Sequence, residues 1–282
     1  MPETPTTLCT PDDEKSCFAC CPPIRPPGYE HSQYTNEIKR VLRENTASLR
    51  KEEKSISPIT GFSCWALGYL DGGFKRIGCL LHPSQNDGED LRYRVDYGRK
   101  CARESCVEEG IFQLLAPEAR TFWLRLCEGL DSFSYSSRTG NPLFRILGWG
   151  STVLNLVAIA EEERDLRDDS ILDIYSFFKT SLSPRANAYL LRVLVDSKTL
   201  DLLKNPRFRD RFEELSHRLS KDLSLRVLSR SAAPYIHSLP METDFLDFLR
   251  LSGRIVKAGE EEAALLKEFT DHELAQFRDE FA

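Results

Sequence analysis

The chain has 282 residues, 41% of them hydrophobic and 29% charged, with a net charge of −6. That composition suits a globular protein of one large domain or two modest ones. Neither half is basic, so neither a nucleic-acid partner nor an anionic membrane surface is expected. Local basic groups, Lys39-Arg40 with Arg43 and the segment Arg92 to Arg103, read as solvated faces.

The chain starts polar and acidic at Met1-Pro2-Glu3-Thr4, without the apolar segment of a signal peptide. Residues 1–15 read as a loose leader. The run Ser16-Cys17-Phe18-Ala19-Cys20-Cys21 follows, then Pro22-Pro23-Ile24-Arg25-Pro26-Pro27-Gly28, where dense proline forbids helix. From Tyr34 to about Lys54, Ile38, Val41, Leu42 and Leu49 form the apolar stripe of a helix. Two short apolar runs, Phe62 to Leu70 and Phe74 to Leu81, flank Asp71-Gly72-Gly73. They read as a β-hairpin whose glycines supply the positive φ angles of a tight turn. Such a hairpin brings Cys64 and Cys79 together at its open end. A polar loop at 83–90 leads to Cys101 and Cys106 in a charged segment.

Helices are expected from about Leu114 onward. Pro117 suits a first helical turn. Residues 142–162, 170–182 and 185–196 have helical apolar spacing, with Ser183-Pro184 as an N-cap and first position. The most apolar segment, Ile146 to Ala160, is about 15 residues, short of the roughly 20 that a membrane span needs, so it reads as a buried helix. Phe208, Phe212, Leu215, Leu219 and Leu223 form a further stripe. Phe245, Leu246, Leu249 and Ile255 form another, ended by Gly259. Thr270-Asp271-His272-Glu273 fits a capping box. The expected fold is mainly α: a small, irregular, Cys-rich metal-binding part with a β-hairpin at 1–112, and an α-helical bundle at 113–282.

Eight of the nine cysteines lie in the first 106 residues; the ninth, Cys127, sits in an apolar helical run and reads as core. Zinc and iron–sulfur sites both take deprotonated thiolates, usually four around each metal or cluster. Cys17-x2-Cys20 supplies one pair, Cys64 and Cys79 a second, and Cys101-x4-Cys106 a third. With Cys21 these make seven candidate ligands, more than one tetrahedral zinc ion uses. In extended chain the adjacent Cys20 and Cys21 point to opposite sides, so they serve two metals or a cluster, or one is a spare thiol. Cys21 also precedes proline, as does the last ligand of bacterial ferredoxin runs. A cytoplasmic location is expected, where thiols act as ligands or stay reduced.

On these residues the chain resembles the CxxCxxCC family, described as zinc- or iron-chelating proteins. Members carry a vicinal-cysteine knot, a helix, a hairpin of the form Cys-x-x-Leu…Cys-x-Ile-Tyr-x-x-Arg-Pro, and a later cysteine. Cys64-Trp65-Ala66-Leu67, Cys79-Leu80-Leu81-His82-Pro83 and Lys100-Cys101 match the latter parts. The knot keeps the last three cysteines, but Glu14 stands three residues before Cys17, and Cys9 lies farther upstream as a candidate replacement. His82-Pro83 stands where the family often has Arg-Pro; the Cys-x2-His spacing suits zinc, although His82 reads better as a loop histidine. The resemblance covers about residues 9–110 and implies a bound zinc ion or iron–sulfur cluster.

No catalytic motif is recognised. There is no Gly-x-Ser-x-Gly, Gly-x4-Gly-Lys-Ser/Thr or Gly-x-Gly-x-x-Gly, and Gly148-Trp149-Gly150 reads as close helix packing. The acidic run Glu161-Glu162-Glu163 with Asp165, Asp168 and Asp169 reads as a charged helix end. The sequence therefore describes a metal-binding protein that names no enzymatic reaction and no partner protein. An iron–sulfur redox or maturation protein is the alternative.

Overall fold

The computed structural model describes residues 7–21, 35–49, 56–59, 63–96, 98–103, 106–161, 168–226 and 233–281. The chain is mainly helical with one two-stranded antiparallel sheet. It divides into two compact units, residues 1–114 with 127–144, and residues 115–126 with 145–282. The units alternate along the sequence, so 127–144 joins the cysteine-rich part. The expected irregular stretch at 22–28, the continuation of the first helix toward Lys54, and Glu162, Glu163 and Asp165 lie outside the described residues.

In the first unit, α1 (Thr35–Ser48) buries Ile38 and Leu42, one turn apart on a single face. Its Asn45 amide donates to the carbonyls of Cys64 at 3.1 Å and Leu67 at 2.8 Å. Its Thr46 hydroxyl accepts from the Tyr69 N–H at 2.8 Å. These bonds fasten α1 to a hairpin of β1 (Leu67–Tyr69) and β2 (Ile77–Cys79), in which Leu67 faces Cys79 and Tyr69 faces Ile77.

The hairpin is as expected but its turn is not. The loop runs over 70–76, closed by Leu70 N–H to Arg76 carbonyl at 2.9 Å. The Asp71 carboxylate accepts from the N–H groups of Gly73, Lys75 and Arg76. Positive φ falls on Phe74, at 56°, rather than on Gly72 or Gly73. A side-chain acceptor organises this longer loop, so no tight glycine turn is needed.

Two short helices follow, α2 (Gly98–Arg103) and α3 (Val107–Gln113). A Cβ on Gly98 would meet the Arg92 carbonyl at 2.2 Å, so only glycine lets α2 abut the 3-10 turn at Arg92–Arg94. The chain then gives α4 (Pro117–Leu124) to the second unit, with Pro117 at its first position as expected. It returns to the first unit for α5 (Ser132–Tyr135), where the Asp131 carboxylate caps the Ser134 N–H at 2.8 Å. It leaves that unit within α6 (Pro142–Leu147).

In the second unit the expected helix over 142–162 is broken. Gly150, at φ +90°, separates α6 from α7 (Ser151–Glu161), a backbone state open to glycine and costly to other residues. Then come α8 (Asp168–Ile174), α9 (Pro184–Leu194) and α10 (Pro206–Arg226). The predicted stripe of α10, Phe208 to Leu223, is buried throughout. Phe177 centres an aromatic core, 5.0 Å from the Trp149 ring and 5.0 Å from Phe212.

Two predicted helix ends are wrong. α11 (Thr243–Asp247) continues into one π turn, Phe248–Ser252, and stops there. Gly259 precedes α12 (Glu260–Asp279) as its N-cap, with three glutamates in the first turn facing the positive end of the helix dipole. Thr270 is therefore no cap: it is buried in mid-helix, donating to the Leu266 carbonyl at 2.8 Å. Among the described residues no helix is long and apolar enough to cross a membrane.

Candidate metal centre

The cysteine knot is held by backbone and hydroxyl groups of its own unit. Cys17 N–H donates to the Cys9 carbonyl at 2.8 Å, tying leader to knot. Ser132 and Ser136, four residues apart on and just after α5, accept from the N–H groups of Ser16 and Phe18, each at 3.0 Å. The Ser132 hydroxyl donates to the Lys75 carbonyl at 2.6 Å. Ser16 bridges to β2: its hydroxyl donates to the Ile77 carbonyl at 2.7 Å and accepts from the Ile77 N–H at 2.6 Å. Phe18 packs edge-on against Phe133 at 5.6 Å. The short α5 segment is thus a clamp on the knot and on the hairpin.

Cys21 N–H donates to the Phe18 carbonyl at 3.0 Å, which closes a turn over 18–21. Extended chain was the premise for opposed Cys20 and Cys21 side chains, and a turn removes it. The two thiols hydrogen-bond each other.

All eight cysteines of residues 9–106 line one cavity of about 300 Å³. The seven predicted ligands, Cys17, Cys20, Cys21, Cys64, Cys79, Cys101 and Cys106, are all in its wall, and so is Cys9. From sequence, Cys9 is only a candidate replacement in a loose leader, and the structure puts it in the same wall as the seven. Cys64 is buried, Cys9 and Cys20 are exposed, and the other five are half-buried. All nine cysteines are thiols rather than disulfides. Cys127 is buried away from this wall, donating to the Asn141 side-chain oxygen at 3.2 Å.

Polar groups enter the wall at two places. On one side, Cys106 donates to the Glu108 carboxylate at 2.9 Å, and Glu109 accepts from the Leu8 N–H at 2.7 Å. On the other, Arg92 forks onto Asp90 at 2.8 and 2.7 Å and donates to the Cys101 carbonyl at 3.0 Å. His82 also lines the cavity, but its Nδ1 accepts from the Ser84 N–H at 3.2 Å and caps the 3-10 turn Pro83–Gln85.

Loss of contact with water is the largest influence on the thiols of Cys9, Cys17, Cys64, Cys79 and Cys106, and all five are raised above the ordinary value. Cys64 is pushed up to about 12 and Cys106 to about 11. Cys21 is raised first by its hydrogen bond to Cys20, then by burial. These thiols hold their protons at neutral pH.

Tetrahedral zinc, with Zn–S of about 2.3 Å, needs sulfurs roughly 3.8 Å apart. Among the described residues no three Cys, His, Asp or Glu side chains are gathered to hold one ion in this way. The thiols surround a space rather than a point. No family model matches the chain, and no curated protein or solved structure matches it either.

Proposed function

We propose that the first unit is a metal-binding module, holding zinc or an iron–sulfur cluster through cysteine thiolates, and that the chain belongs with the CxxCxxCC family it resembles. The observation that carries this reading is the meeting of Cys9, Cys17, Cys20, Cys21, Cys64, Cys79, Cys101 and Cys106 around one cavity. Cysteines used as small hydrophobes are buried and scattered, as Cys127 is. Seven of these eight are only half-buried or exposed, although Cys64 also belongs to the core with Cys21 and Cys79 packed on it.

The size of the cavity favours a cluster over a lone zinc ion. By the same measure one water needs only about 10–15 Å³, against about 300 Å³ here. Inorganic sulfide between irons spaces thiolates more widely than a single ion does. With a cluster as occupant, a redox or cluster-maturation role is the second reading. A reducing, cytoplasmic setting belongs to the same proposal.

The test is anaerobic purification of the full chain with iron, zinc and acid-labile sulfide analysis. A brown protein with iron and sulfide, absorbing at about 400 nm, supports the cluster. A colourless one with stoichiometric zinc supports the structural site, whose removal would cost folding energy on the scale of ~10–16 kcal/mol. A folded, metal-free chain that takes up neither iron nor zinc overturns the proposal.

A further inference from the structure

We infer that the eight cysteines form two four-thiolate centres, one of Cys9, Cys17, Cys20 and Cys106, the other of Cys21, Cys64, Cys79 and Cys101, meeting at the Cys20–Cys21 peptide. This rests on the metal-binding reading above and divides its single cavity in two.

The backbone makes the first grouping. Cys17 is bonded to Cys9 through the main chain at 2.8 Å. Leu8, next to Cys9, donates to Glu109, which brings the helix that follows Cys106 against the leader. The second grouping follows from the hairpin. Cys79 faces Leu67, three residues after Cys64, and Leu67 N–H donates to the Cys64 carbonyl at 3.0 Å. Arg92 then draws the Cys101 backbone to the same side at 3.0 Å.

Two further observations bear on the division, the first of them for three members of the second set. Cys64 belongs to the hydrophobic core around Ile38 and Leu42, with Cys21 and Cys79 packed on it, whereas none of the first four does. The electrostatic neighbours also separate. Cys9 and Cys17 feel each other's group, Cys20 and Cys106, while Cys64 feels Cys79 and Cys101. Cys20 and Cys21 are linked to each other across this division. The vicinal pair is thus the seam, its two thiols in contact with each other and each belonging to a different set.

Each set has the four thiolates that one [2Fe–2S] or [4Fe–4S] cluster takes; one zinc ion would have to draw its four together, since among the described residues no three such side chains are gathered around one point. Their surroundings differ: carboxylates of Glu108 and Glu109 lie by the first, and the Arg92–Asp90 ion pair lies by the second.

The test uses the full chain, purified anaerobically, with metal counted per chain in Cys→Ser variants. Cys106→Ser and Cys101→Ser should each lose half of the wild-type metal. The pair Cys9→Ser with Cys106→Ser should also lose half. The cross pair Cys106→Ser with Cys101→Ser should lose all of it. A within-set pair that empties the chain, or a cross pair that retains half, overturns the partition while leaving metal binding intact. Because a variant can lose metal by failing to fold, the unmodified chain supplies a second readout. Cadmium-substituted protein should show two thiolate-bound cadmium resonances, or, if iron is bound, the reduced protein should show two magnetically coupled spins. A single resonance or a single uncoupled spin overturns the two-centre inference. A chain that binds neither iron, zinc nor cadmium overturns the metal-binding reading itself.

Discussion

The Tyr135 hydroxyl donates a 2.8 Å hydrogen bond to the carbonyl of Leu8, across 127 positions of sequence, and both residues are buried. Leu8 immediately precedes Cys9, so this bond fixes one end of the leader to α5. Tyr135→Phe keeps the ring and leaves a buried carbonyl without this donor. The expected cost is about 1–3 kcal/mol, read as a lower urea midpoint with unchanged slope. An unchanged midpoint would show that the leader is not held from α5.

Ser16→Ala should be more damaging for its size. One hydroxyl satisfies both the N–H and the carbonyl of Ile77, inside a buried region. Removing it strands two backbone groups, at about 2–4 kcal/mol together. The exposed Ser84→Ala serves as a control, expected within about 0.5 kcal/mol of wild type. Equal midpoints for the two variants would contradict the bridge.

The Asp90–Arg92 fork gives a pH signature. Hydrogen bonds from Arg92 hold the Asp90 carboxyl down to about 2, against an ordinary 3.8. The folded state therefore prefers the ionised form. Its contribution is fully present above about pH 4 and fades as pH falls toward 2. The pair faces solvent, so about 0.5–1 kcal/mol is the expected size. Asp90→Asn should be less stable than wild type at pH 6 and indistinguishable at pH 2, by denaturant titration at each pH. A constant difference between the two pH values would rule the fork out as its source.

In the second unit, Phe177 is fully buried and touches Trp149, Phe208 and Phe212. Phe177→Ala should cost about 3–5 kcal/mol, with loss of the near-ultraviolet dichroism that Trp149 owes to its fixed surroundings. Retention of that signal at wild-type thermal stability would mean that the core closes without this ring.

Periodicity made the helices legible: the stripe from Phe208 to Leu223 and the pair Ile38 and Leu42 are buried as their spacing demands. What failed was local chemistry with two meanings. Gly259 suits a helix end as well as a helix start, and Thr270 heads a capping motif that also fits a helix interior when its hydroxyl can reach the Leu266 carbonyl. The Gly72-Gly73 turn was misread because Asp71 supplies the acceptor that organises the loop. At the candidate site, residue type and spacing singled out seven of the eight cavity cysteines. They said nothing of Ser132 and Ser136, whose part depends on contacts more than a hundred residues apart in sequence.

The interleaving of the two units sets an order of events during synthesis. Every cavity cysteine leaves the ribosome before the clamp that frames it. At about 5–20 residues per second, Ser136 follows Cys106 by about 2–6 s. During that interval the knot lacks the hydroxyls of Ser132, Tyr135 and Ser136, and any metal present meets thiols that still move independently. A truncation ending at residue 114 keeps all eight thiols and extends that interval indefinitely, so a chain that holds the frame must reach at least Ser136.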